Sequence, residues 1–284
     1  MKEFTRCHPI VNLIFFVSVL TFAVTLMHPV CLGIALLGSV SVSLVFAGVK
    51  RTLQIVVVGI FTALATALFN VLFNHQGATA LWYFPNGNIL TLESLAFGVA
   101  SGVMLSSVVI WFMSVNKIIT PEKIICLFGG ILPVISLVIS MILKFVPEFI
   151  RNFKSINQGR VAIGKGEENK FIRLKKSFSA FLRVSLENGV KTADSMKARC
   201  YGSAKRTSFS NYKFTKRDAV LLCIIFIFGV LTLAGVLWGE TKATYFPDII
   251  FGKISPLTVI AYVLLSLTPL IFELWEVIRW KKLK

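Results

Sequence analysis

Seven stretches of this chain are apolar over nearly their whole length: 10–27, 30–48, 53–72, 94–113, 124–143, 219–238 and 256–272. Crossing ~30 Å of hydrocarbon takes roughly 20 such residues. Composition agrees with a lipid solvent. Hydrophobic residues make up 56% of the 284, charged residues only 15%, and mean hydropathy is +0.79. Soluble domains sit near 45–50% apolar even with Gly counted. The expected fold class is therefore an all-α polytopic membrane protein. The first stretch does not read as a cleaved signal peptide, because a second apolar run follows after only His28 and Pro29, with no small-residue cleavage site between them.

Basic residues orient the spans, since Lys and Arg gather on the cytoplasmic side. Lys2 and Arg6 put the N-terminus inside, Lys50 and Arg51 return to the inside, and Lys117 and Lys123 do so again. The loop 74–93 holds no Lys or Arg and belongs outside as a structured loop with interfacial aromatics. If 124–143 crossed, the stretch 144–217, with 18 of the 30 Lys and Arg and 5 Asp and Glu, would lie outside. The conflict disappears if 124–143 stays on the cytoplasmic side, where Gly129, Gly130 and Pro133 weaken it as a straight span. The expectation is about six transmembrane helices with both termini cytoplasmic; the alternative is seven spans. Three regions follow: N-terminal transmembrane helices (1–123), a cytoplasmic region (124–217) and C-terminal transmembrane helices (218–284).

The basic region carries helical periodicity. Phe145, Phe149, Phe153 and Ile156 recur at helical spacing, and so do Leu174, Phe178, Phe181, Ser185, Gly189, Ala193 and Met196. Charges fill the positions between them, so two long amphipathic helices are expected, separated by the polar loop GKGEEN. The segment GRVAIGKG (159–166) matches most of a nucleotide-binding P-loop. A P-loop, however, follows a buried strand and ends in Ser or Thr to hold Mg²⁺. Gly166 stands there instead, and a helix precedes, so a glycine-closed helix end is the reading.

Residues 193–218 read ADSMKARCYGSAKRTSFSNYKFTKRD. Together with HPIVN near the start, FNHQG and NGNILTLES in the outer loop, and ITPEKI followed by KFVPEF, this ordered series resembles the transmembrane T component of energy-coupling factor (ECF) vitamin and metal transporters. The likeness spans nearly the whole chain. It implies an L-shaped scaffold with a cytoplasmic arm of coupling helices. It also implies two ABC-type ATPase subunits and a small membrane S component that binds the vitamin, cobalt or nickel. ATP and Mg would then be bound by the partner subunits, and this chain would carry no cofactor and no catalytic residue. The setting would be a bacterial or archaeal plasma membrane.

Residue by residue, the resemblance places the second coupling motif at Ala198-Arg199-Cys200, where Cys200 stands in place of the usual Gly or Ser. The first motif falls on Ala162-Ile163-Gly164 and lacks its Arg, with Arg160 three residues earlier. An Arg at a helix end offers five fixed donors to a partner's carboxylates or carbonyls. Lys197, Lys205 and Arg206 read as rim or lipid contacts.

Other constellations are sparse. Cys7, Cys31, Cys126, Cys200 and Cys223 form no C-x-x-C pair and no zinc or disulfide pattern. His8, His28 and His75 are too scattered for a metal site and read as interfacial or capping residues. The spans contain essentially no ionisable residue, with Gln54 and Asn70 as polar exceptions. That argues against the first alternative, a self-contained carrier or membrane enzyme. The second alternative is a membrane-anchored module for anionic lipid or nucleic acid. Charge permits it, but phosphate binding does not require Phe153 and Phe178, and no nucleic-acid partner is expected.

Overall fold

Proline opens five of the described helices, at the one helical position where its missing N–H costs nothing. These are α1 (Pro9–Thr25), α2 (Pro29–Ala47), α5 (Pro121–Gly129), α6 (Pro133–Arg160) and α9 (Pro256–Lys282). The others are α3 (Val49–Phe73), α4 (Leu92–Ile118), α7 (Lys170–Ala198) and α8 (Lys216–Leu237). The computed structural model describes residues 3–74, 76–77, 79–83, 89–129, 133–165, 169–203 and 212–282. The chain is all-helical apart from two short hairpins, β1 (Ala80–Tyr83) with β2 (Ile89–Thr91) and β3 (Ala243–Thr244) with β4 (Ile250–Phe251), both antiparallel.

Five described helices, α2, α3, α4, α8 and α9, are long and apolar enough to cross a membrane, and α1 is an apolar helix of 17 residues. The apolar run 124–143 is divided between two helices, α5 ending at Gly129 and α6 starting at Pro133. The chain falls into two compact units, residues 1–120 with 212–284, and residues 121–211.

In the first unit, His8 and His28 each cap a helix. Their Nδ1 atoms accept the backbone N–H groups of Ile10 and Val30, both at 3.3 Å. Each cap satisfies one of the N–H groups a helix start leaves open. Inside, aromatic rings interlock. Phe4 meets Phe15 and Phe46 edge-on, and Phe15 and Phe16 both meet Trp111 edge-on. Small residues let α3 and α4 approach closely. A Cβ at Gly102 would come 2.7 Å from the Ala63 carbonyl oxygen, and one at Gly98 would come 3.1 Å from that of Ala67. Ser106 donates its hydroxyl across this crossing to the Gly59 carbonyl. The outward faces remain apolar, with Leu37, Phe61, Leu68 and Phe226 exposed, as lipid-facing surfaces require.

Carboxylates tie the helix ends together. Glu273 accepts the Phe4 N–H at 3.1 Å, Asp218 accepts the His8 N–H at 3.0 Å, and Arg217 pairs with Glu276 at 3.1 Å. Asp218 also closes a capping box with Thr215 at the start of α8. At the opposite helix ends the two hairpins meet α4. Phe97 packs edge-on to Tyr245, whose hydroxyl donates to the Met27 carbonyl at 2.8 Å. Glu93 there accepts the Thr79 hydroxyl at 2.7 Å.

In the second unit, the Ser136 hydroxyl donates to the Ile125 carbonyl at 3.2 Å, linking α6 to α5. Phe149 and Phe153 of α6 both meet Phe181 of α7 edge-on, at 5.5 and 5.8 Å. Two expectations need correction. The first long helix begins at Pro133 rather than near Lys144, because the onset of charge changes a helix's surface and not its backbone. The packed face of α7 centres on Ser177, which is fully buried, and Phe181. It shares Phe181 and the half-buried Ser185 with the stripe read from the sequence but passes by Leu174 and Phe178, which remain exposed.

Candidate coupling site

The end of α7 is closed by a specific set of hydrogen bonds. Tyr201 N–H donates to the Met196 carbonyl at 3.1 Å, and Cys200 N–H donates to the Lys197 carbonyl at 2.9 Å. This pair, with a left-handed residue between helix and loop, is a Schellman closure. The left-handed residue is Cys200, at φ 60°, the one non-glycine residue with positive φ among those described. The closure gives a physical reason for Gly at this motif position: any Cβ is strained there. Cys200 is exposed and its carbonyl accepts the Ser203 hydroxyl at 2.7 Å. Arg199 is the C-cap residue, its own N–H directed back to Ser195 and Met196. The side chains of Ala198 and Arg199 are exposed. The guanidinium therefore stands at the tip of a 29-residue helix on a closed, defined turn.

The first motif differs. Arg160 ends α6 and is half-buried, and a single π-helical turn, Val161–Lys165, follows it. Ala162 is exposed and Ile163 is 76% exposed; Gly164 lies in the same turn. The structure thus presents an apolar Ile163 where the resemblance expects an Arg, with Arg160 packed rather than projecting. No strand precedes GRVAIGKG; α6 does, so the geometry of a P-loop is missing. Gly166, His75, Lys205 and Arg206 lie outside the described residues.

The two motifs are not brought together. Both edge-on contacts of α6 fall on one residue of α7, Phe181. Ile163 lies ten residues beyond Phe153, about 15 Å along α6, and Arg199 lies eighteen beyond Phe181, about 27 Å along α7.

Between them α7 exposes Leu174, Phe178, Leu182, Leu186 and Val190. Leu182, Leu186 and Val190 were missed in the sequence stripe, although the unbroken four-residue spacing from Leu174 could have found them. On α6 the same spacing exposes Val134, Val138, Ile142, Val146 and Ile150. Such contiguous apolar surface marks an interaction site. The charged side of α7 is ordered locally: the Lys191 ammonium hydrogen-bonds Glu187 at 2.7 Å and holds its carboxylate below the ordinary range. Among the described residues no group of three or more His, Cys, Asp or Glu is arranged to hold a metal ion.

A scan against protein-family models and a search of curated proteins both return no match for this chain.

Proposed function

We propose that this chain is the membrane-embedded coupling subunit of an ECF-type ABC importer. Its α6 and α7 form the cytoplasmic arm of an L-shaped scaffold. Each tip engages one of two ATPase subunits, and the exposed apolar flanks hold a small S component that selects the vitamin or metal ion. The observation that carries this reading is Arg199. It is an exposed cation at the end of a long amphipathic helix, held on a closed turn, with a row of unpartnered apolar side chains along the same helix. In a partner's groove the guanidinium makes charge-assisted hydrogen bonds to carboxylates or carbonyls. Truncating such a desolvated contact costs about 2–5 kcal/mol. The Ile163 tip acts as an apolar plug in the second groove.

Basic residues keep both motifs and both termini on the cytoplasmic side. ATP and Mg belong to the partner ATPases, whose closure moves the arm and reorients the S component.

Affinity purification of the full chain from its native membrane tests the reading. Two ABC-type ATPases and one small apolar membrane protein should co-purify. Arg199→Glu should abolish uptake at equal expression, whereas Ile163→Arg should not. Equal uptake by wild type and Arg199→Glu, or solute transport by the purified chain alone, defeats the proposal.

A further inference from the structure

Helices α8 and α9 enclose a cavity of about 550 Å³ that opens along the side of the first unit. Its walls are apolar, with Ile224 and Phe228 from α8 and Leu264 from α9 among them. The Thr268 hydroxyl in the lining already donates to the Leu264 carbonyl at 2.8 Å. The interior therefore offers nothing to a polar solute and suits a hydrocarbon chain. From Lys216 to Phe228 the groove follows twelve residues of helix, about 18 Å at ~1.5 Å per residue. One leaflet of a ~30 Å hydrocarbon core is about 15 Å deep. The groove is thus as long as a single leaflet.

One end is chemically distinct. Lys216 and Arg217 line it, with Trp275 beside them. Arg217 is half-exposed and bonds one oxygen of the buried Glu276 carboxylate at 3.1 Å. Arg279 lies 3.9 Å from the same carboxylate and stacks over Trp275 at 5.6 Å. Asp218 and Glu273 are turned to the backbone N–H groups of His8 and Phe4. The mouth thus presents Lys216 and Arg217, and Arg217 shares the ion-paired Glu276 carboxylate with Arg279. Trp and Arg at the end of a spanning helix mark headgroup depth, and basic residues between helix ends attract anionic lipid.

We propose that this groove binds one anionic phospholipid, its acyl chain between α8 and α9 and its phosphate on Lys216 and Arg217. The lipid completes the α8–α9 pair, and its site belongs to the first unit whereas the coupling tips belong to the second. The site stands on the geometry of the first unit alone and does not rest on the transporter reading.

Native mass spectrometry of the full chain in non-ionic detergent tests this, with phosphatidylglycerol, phosphatidylcholine or inorganic phosphate added. One phosphatidylglycerol should be retained in preference to phosphatidylcholine. Lys216→Gln removes one exposed cation and should lower that retention about fivefold. Ile224→Phe narrows the groove and should lower retention of both lipids while the chain stays monodisperse. Equal retention of the two lipids overturns the proposal. So does retention unaffected by either substitution. Competition by inorganic phosphate at the lipid's own concentration would make the mouth a free-anion site and overturn the lipid assignment. Photo-crosslinking from position 224 to a protein rather than to lipid in native membranes would also overturn it.

Discussion

Cys200 gives the sharpest test of how the α7 tip is built. An L-residue in the left-handed region is strained by roughly 1–2 kcal/mol. Glycine relieves that strain but loses about 0.5–1 kcal/mol of extra backbone entropy on folding. The first effect is the larger, so Cys200→Gly should stabilise the closed turn by about 0.5–1 kcal/mol, a factor of roughly two to five in its opening equilibrium. A β-branched side chain is worse than Cys at positive φ, so Cys200→Val should open the turn by at least as much. Amide hydrogen exchange at residues 200 and 201 reads this directly, because those two N–H groups make the closing bonds to Lys197 and Met196. Exchange should slow in the Gly variant and quicken in the Val variant, with amides near Phe181 unchanged. Equal protection in Cys200→Val and wild type would show that the chain does not turn left-handed here. The defined placement of Arg199 would fall with it.

Three other outcomes follow from the membrane unit. Gly102→Ala puts a Cβ 2.7 Å from the Ala63 carbonyl. Overpacking of about 1–3 kcal/mol should outweigh the ~1 kcal/mol gain in helix propensity and lower the melting temperature in detergent. Gly229→Ala, with nothing within 4 Å of the added carbon, should raise it or leave it unchanged. His28 is held below the ordinary imidazole value of 6.5, first by burial, against which a backbone hydrogen bond with Gly252 works in the opposite sense. From that value downward the unfolded chain takes up a proton the folded chain resists. Stability should therefore be complete above about pH 7 and fall as pH drops. His28→Asn keeps a capping acceptor and should flatten that part of the profile in thermal unfolding between about pH 7.5 and about pH 5.5.

Much of the fold can be read in the sequence where one residue type has one strong preference. HPIVN and HPVCL announce two helix starts, since Pro is pre-set for the first turn and His can reach the open N–H groups; both imidazoles cap as expected. The break in 124–143 follows from Gly129 and Pro133. The stripe of small residues Gly98, Ala100, Ser101 and Gly102 marks the close α3–α4 crossing. The ends of the site were harder. Charge beginning at Lys144 suggests a new element, yet α6 runs through it, because Lys is a good helix former and hydrogen bonds ignore surface polarity. Pro147 argues locally against that continuity, and the largely apolar stretch ahead of Lys144 overrides it. The packed face of α7 is legible at Phe181 and Ser185 but not at Ser177, which is small and polar and does not advertise burial. That Cys200 is left-handed leaves no mark in composition or periodicity, and Cys in place of Gly argues locally against it.

Pro147 has a mechanical consequence. In the interior of α6 it is the residue with no N–H to offer, so the Leu143 carbonyl loses its rung in the ladder. A rod that is stiff everywhere else yields first at its missing rung. A load applied at Ile163 would reach Ser136 and α5 through that one compliant joint. Replacing Pro147 with Ala would make the shaft stiffer without altering either end.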